Sequence, residues 1–216
     1  MINIFYWSPC LEKVGTYKST INSALSIGKY SKKKFSINVI NVCGEWEKER
    51  KLFEDNNVNL IDIGFNFFKY LPRSGYFSSR FSYIFIAIMS FIPLIKLLIK
   101  KKPHFFVSHL LTSVPFIIFY FFKFKTKLIL RISGFPRLTF FRKFLWKISN
   151  KNIQFVTVPT KETFVKLKKM NIFDNSKIHY LPDPVFIENK IKKKIKVNIN
   201  KKYGYILNVG RLTEQK

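Results

Sequence analysis

The sequence predicts a doubly wound α/β domain built on a parallel sheet, and three observations carry that expectation. Short β-branched and aromatic runs alternate regularly with helical stretches, the rhythm of strands joined by crossover helices. At 47% hydrophobic and 18% aromatic residues, the chain holds far more apolar surface than a disordered arm, which cannot offset the entropy of folding. Cys10 and Cys43 are the only two cysteines, so neither a disulfide framework nor a zinc cluster can be built, and a reducing compartment is the natural setting.

Taken in order, residues 2–7 form a first strand, ended by the loop 8–16 with its Pro9 and Gly15. A helix follows over 17–30. A second strand over 36–42 draws its branched side chains from Ile37, Val39 and Ile40. Residues 45–56 read as helix and 58–63 as a third strand. Pro72 and Gly75 mark a loop before the long apolar segment 81–99. The series continues with a strand over 105–108, a helix from Ser113, a strand over 127–132, a helix over 138–149, a strand over 153–158, a helix over 161–170 and a strand over 177–181. This predicts a Rossmann-like domain over 1–189, with helices on both faces of the sheet. Composition then shifts. Residues 190–202 are a basic connector of Lys, Asn, Ile and Val, and 203–209 begin a fresh strand ending at Gly210, the expected start of a second, incomplete domain over 203–216.

The charge is lopsided: Lys and Arg number 39 against 12 Asp and Glu, a formal net charge of +27. Part of this reflects a Lys-, Asn-, Ile- and Phe-rich composition of the kind AT-rich coding produces. A field of this sign attracts phosphates, whether of nucleic acid, anionic lipid or a sugar diphosphate. Most of the 25 Phe lie inside apolar runs, not interleaved with Arg and Gly as on a base-stacking platform, so nucleic acid is not the expected partner. Residues 81–99 are just long enough to span a bilayer. Pro93, Lys96 and their place within an alternating pattern favour a buried or membrane-surface helix over a span. Met1 leads straight into an apolar stretch with no basic leader or small-residue cleavage site, so a secretory signal is not expected. The expected location is cytoplasmic, peripheral at the inner face of the cell membrane.

In an open parallel sheet, ligands bind outside the carboxyl ends of the strands. Three loops there carry chemistry. Gly15 and Thr16, entering the first helix, allow backbone to approach an anion. His109, after the fourth strand, is a candidate catalytic group for holding a hydroxyl or moving a proton. After the fifth strand Arg131, Ser133 and Gly134 converge; Arg131 suits a phosphate or carboxylate clamp, or equally a salt bridge beneath the turn. Walker A, G-x-S-x-G, H-E-x-x-H and Asp-x-Asp motifs are absent from the sequence. His104, His109 and His179 are too dispersed to propose a metal site, and neither metal nor cofactor is expected.

The most informative segment is Ile206-Leu207-Asn208-Val209-Gly210-Arg211-Leu212-Thr213-Glu214-Gln215-Lys216. Here the chain resembles the family 4 glycosyltransferases of the GT-B fold, in which the first donor-domain strand ends in Gly-Arg and a Lys follows a few residues later. The resemblance extends through the loop 9–16, the Gly44-Glu45-Trp46 turn and residues 103–115, 131–136, 157–163 and 178–185. It implies the N-terminal, acceptor-side half of a GT-B enzyme. Gly210, Arg211 and Lys216 would hold the donor diphosphate, with a nucleotide-sugar and a lipid-linked or cell-surface glycan as substrates and retention of configuration. Cationic groups on a departing diphosphate stabilise charge where it grows, so such transfer needs no metal. Departures are specific: Gly15 stands where paired glycines are frequent, Asp183-Pro184 replaces a frequent Asn-Gly, and a Glu-x7-Glu donor element would lie beyond Lys216. With one wall of the crevice missing, the chain alone is not expected to transfer sugar. A catalytically inactive membrane- or partner-binding remnant and a nucleic-acid-binding Rossmann protein are the alternative readings.

Overall fold

The computed structural model describes residues 1–185 apart from 14, 32–33, 65, 73–75 and 136–137. The described residues belong to one compact unit, Met1–Phe186. The connector 190–202, the strand expected over 203–209 and the residues Gly210, Arg211 and Lys216 lie outside the described residues.

Among the described residues seven strands form one sheet: β1 (Ile2–Trp7), β2 (Phe35–Asn41), β3 (Val58–Asp62), β4 (Phe105–Ser108), β5 (Lys127–Arg131), β6 (Ile153–Val158) and β7 (Ile178–Tyr180). Their spatial order is β3-β2-β1-β4-β5-β6-β7, and every pairing is parallel. The doubly wound, Rossmann-like expectation holds. The chain starts in the middle, winds out through β2 to β3, returns past β1 to β4, and winds out the other way. Right-handed crossovers then place the helices of the two halves on opposite faces.

One face carries α1 (Gly15–Tyr30) and the short α2 (Arg50–Glu54); the other carries α3 (Tyr76–Lys101), α4 (Ser113–Phe121), α5 (Phe140–Ser149) and α6 (Lys161–Lys169). The alternation of β1 shows the division residue by residue. Ile4 and Tyr6 pack with Tyr17, Leu25, Trp46 and Phe53. Phe5 and Trp7 belong to the larger core with Ile86, Leu98, Phe116, Trp146 and Leu167. Thr139 and Thr160 cap α5 and α6, each side chain accepting from the backbone N–H three residues on.

Two expected elements differ. The helix expected over 45–56 is a 3₁₀ turn at Glu47–Glu49 followed by α2. The cause is Glu45, whose buried carboxylate accepts the backbone N–H of Val42 at 3.0 Å and of Cys43 at 2.8 Å, holding the chain in a turn. Gly44 within that turn has φ +95°, and a Cβ there would lie 2.2 Å from Asn66 Oδ1, so glycine is required. The long helix exceeds the expected 81–99 at both ends and runs unbroken through Pro93. It stops where Lys102 turns left-handed at φ 43°, one residue before Pro103.

Among the described residues no helix lies over the β4–β7 half of the α1 face, where Val107, Ile129, Phe155 and Thr157 are half-buried. The segment after β7 turns back over it. Arg131, buried at the end of β5, donates to Leu181 O at 2.6 Å and pairs with Asp183 at 2.6 Å. Ser19 of α1 donates to the same carboxylate. Sequence alone left Arg131 open between an anion clamp and a salt bridge; the structure commits it to the salt bridge. The pair is asymmetric, because the Arg131 side chain is 6% exposed and that of Asp183 37%. Asp183→Ala strands a buried guanidinium and is expected to cost about 3 kcal/mol or more, whereas Arg131→Met leaves a carboxylate that water can reach and costs about 1–2 kcal/mol. Urea denaturation of the two variants checks the order; equal losses would mean that the buried cation finds another partner.

Candidate functional site

The β1–β4 junction is where the winding reverses, and the loops at the carboxyl ends of β1, β4 and β5 border a cleft of about 550 Å³. Thr16, His109, Arg131, Ser133 and Gly134 all line it, together with Thr112, Ser113, Thr139 and Arg142. Gly15 is not among the lining residues. A Cβ at Gly15 or at Gly134 would meet no atom within 4 Å, and neither has positive φ, so these two glycines are not demanded by the protein's own packing.

His109 is placed by the β1–β4 pairing: its backbone N–H donates to Trp7 O at 2.9 Å. Two residues on, Leu111 adopts the left-handed φ of 48°, unusual for a branched side chain. Its carbonyl accepts from Trp7 Nε1 at 3.4 Å, so the conformation is held from the first strand. This turn delivers Thr112 and Ser113 at the start of α4 to the cleft.

The His109 ring is buried against Tyr6, with ring centroids 5.9 Å apart. Burial, reinforced by the nearby Arg131 guanidinium and opposed by Asp183, pushes its pKa down to about 3. At neutral pH the imidazole carries no charge. It therefore has no imidazolium proton to give, and what it can offer a ligand is a neutral hydrogen-bonding nitrogen. Among the described residues its Nδ1 has no hydrogen-bond partner, and neither does the buried Ser133 Oγ. Unpartnered buried side-chain atoms also occur away from this cleft, at Trp46 Nε1, Ser108 Oγ and Ser149 Oγ among others, so what singles out His109 and Ser133 is their position together on the cleft at the switch point. Arg131 contributes differently. Its guanidinium is already paired, so it sets the electrostatics around His109.

Sequence reasoning missed Asp183 as a partner. The signal present was an acidic residue three positions after the last strand of a strongly basic chain. It also missed a second cleft of about 690 Å³ near the carboxyl ends of β1 to β3, lined by Lys13, Tyr17, Glu45, Lys48 and Lys69 among others. Tyr17 stacks on Trp46 at 4.5 Å there, and Lys13 pairs with Glu49 at 2.6 Å. Burial pushes the Cys10 thiol up to about 12 and raises that of Cys43 as well, so neither is a nucleophile. Among the described residues no group of three or more His, Cys, Asp or Glu side chains is arranged to hold a metal ion.

Neither a protein-family profile nor a curated protein sequence matches the chain. Solved structures do match. The UDP-GlcNAc 2-epimerase of Neisseria meningitidis, solved with UDP-GlcNAc bound, aligns with a TM-score of 0.54 at 11% identity, over 84% of this chain and 46% of that one. A Listeria monocytogenes protein assigned as a UDP-N-acetylglucosamine 2-epimerase gives a TM-score of 0.54 at 12% identity, over 82% and 43%. The glycotransferase of kitacinnamycin gives 0.51 at 8% identity, over 87% and 52%. The chain thus spans about half the length of these structures. At such identities the likeness establishes the fold: a Rossmann-like domain of the GT-B kind.

The burial of neutral His109 has a measurable consequence. Between pH 6.5 and about 3 the unfolded chain binds a proton at this residue that the folded protein refuses. Stability from this group is therefore fully present above pH 6.5 and falls by about 1.4 kcal/mol per unit as pH drops through that window. In His109→Gln the contribution vanishes. The stability difference between pH 7 and about pH 4.5, from denaturant melts, should shrink by about 2–3 kcal/mol in the variant; an unchanged difference would place a charged or solvated imidazole in the folded protein.

Proposed function

We propose that this domain forms the acceptor-side wall of a metal-independent glycosyltransferase similar to family 4, moving a sugar from a nucleotide-sugar donor to a glycan or lipid-linked acceptor. The observation that carries the reading is the pair of unpartnered buried polar atoms, His109 Nδ1 and Ser133 Oγ, on residues lining one cleft at the switch point of a GT-B-like domain. A sugar is a dense set of hydroxyls, each both donor and acceptor, and it satisfies such atoms where an apolar ligand does not. A neutral imidazole suits this task, since it hydrogen-bonds a hydroxyl without adding positive charge next to a sugar carbon that is itself becoming positive.

In this reading Gly210, Arg211 and Lys216 take the donor diphosphate, as the sequence resemblance implies. The two epimerase neighbours supply a second reading, an enzyme that rearranges a nucleotide-sugar without an acceptor. Glycosyl transfer is preferred because the Gly210-Arg211 and Lys216 pattern resembles that family. The 216-residue chain by itself is proposed not to turn over a nucleotide-sugar.

In a preparation that combines this domain with a donor-binding domain, Arg211→Ala is expected to lower turnover at least about tenfold and to weaken nucleoside diphosphate binding, since charge-assisted contacts contribute roughly 1.5–3 kcal/mol each. His109→Ala should lower turnover while leaving nucleoside diphosphate affinity unchanged. Calorimetry with the diphosphate beside a radiolabelled-sugar transfer assay separates the two effects. Unchanged turnover in both variants would contradict the assignment, and acceptor-independent conversion of the nucleotide-sugar would favour the epimerase reading.

A further inference from the structure

The twelve acidic residues are not spread evenly: none lies between Asp62 and Glu162, a stretch in which Lys and Arg occur 17 times. That stretch contains all of α3, α4 and α5, the helices of one sheet face. The outward sides of these helices are apolar. In α3, Ser82, Ile86, Ser90, Leu94 and Leu98 are buried toward the sheet, while Phe81, Ile84, Ile88, Ile92 and Ile99 are exposed on the opposite side. The spacing of that stripe is helical, and it runs about 27 Å along the axis. α5 repeats the pattern in shorter form, with Phe140 88%, Phe141 65% and Phe144 55% exposed beside Lys143 and Lys147. α4 packs against both neighbours, and its terminal Phe121 is 72% exposed. The three helices form one layer on the sheet, so their outward faces look away from it together.

We propose that this face is a docking surface for an anionic lipid bilayer. Apolar side chains framed by cations, on helices that carry no carboxylate, are what a leaflet of acidic headgroups over hydrocarbon complements. A second copy of the chain would set like charges against each other across the same apolar area. Nucleic acid would leave the phenylalanines and isoleucines without a counterpart. A transmembrane role for α3 would require stripping Ile86, Leu94 and Leu98 from the core, where they are 1% exposed or less. The helix therefore lies on the membrane with one stripe while the other holds the fold. Phe141 lines the 550 Å³ cleft as well, so docking brings the mouth of that cleft to the headgroups. On the glycosyltransferase reading this is where a lipid-linked acceptor enters, but the docking itself does not depend on that reading.

Co-sedimentation of the full chain with vesicles tests the proposal directly, with no enzymatic readout. Vesicles of phosphatidylglycerol and phosphatidylcholine are expected to bind at least about tenfold more tightly than phosphatidylcholine alone, and alkaline carbonate should release the protein. Phe140→Ser/Phe144→Ser and, on the other helix, Ile88→Ser should each weaken binding severalfold. These side chains are exposed, so circular dichroism should be unchanged in both variants. Lys100→Gln/Lys101→Gln should remove most of the preference for phosphatidylglycerol. Equal or absent binding to the two lipids, release by detergent only, or DNA binding that survives the Phe substitutions in a protein that ignores vesicles would each overturn the proposal.

Discussion

A parallel sheet cannot leave a face to water as an antiparallel one can, because crossover helices cover both sides and its strands are apolar throughout. This constraint organises the molecule. Two short windings outward from β1 and three from β4 place α1 and α2 on one face and α3 to α6 on the other. The strands obey it by alternation: Ile4 and Tyr6 serve one core, Phe5 and Trp7 the other. Where the two windings part, adjacent loops diverge, and the cleft that opens there is a by-product of topology before it is a site. Its contents make it a candidate for one. The β1–β4 pairing fixes His109, and the end of β5 supplies Arg131 and the turn to Ser133.

The same constraint explains why the two faces have different characters. On the α1 face, the tie from Arg131 to Asp183 and Ser19 draws the segment after β7 over strands that no described helix covers. On the other face four helices over-cover the sheet, and three of them have apolar surface left over on their outer sides. Burial of one stripe of α3 stabilises the fold. The other stripe contributes nothing to the folded domain in water, and the three helices that carry the leftover apolar surface hold cations and no carboxylate of their own.

Much of the fold was legible. The strands 2–7, 105–108 and 153–158 agree with the structure residue for residue, since short β-branched and aromatic runs bounded by turn signals leave little choice of register or length. Glu45 shows where local reading stops. Its helical propensity was visible, but its carboxylate reaches back to the amides of Val42 and Cys43, an arrangement set by the β2–β3 turn and Gly44 and not by spacing. Of the candidate site, Thr16, His109, Arg131, Ser133 and Gly134 were found because strand ends locate ligand loops in this topology. What sequence could not supply was state: that burial keeps His109 neutral, and that Arg131 is taken by Asp183, 52 residues away. Long-range pairing leaves no periodic trace.

The central claim is that His109 and Ser133 hold a sugar hydroxyl in the switch-point cleft. Long-range ¹H–¹⁵N spectra of the imidazoles test it at the atom concerned. Titrating nucleotide-sugar and a glycan acceptor into the domain paired with a donor-binding domain should shift the ring nitrogens of His109, while His104 and His179, which do not line the cleft, stay in place. His109 resonances that remain unmoved at saturating substrate would contradict the account.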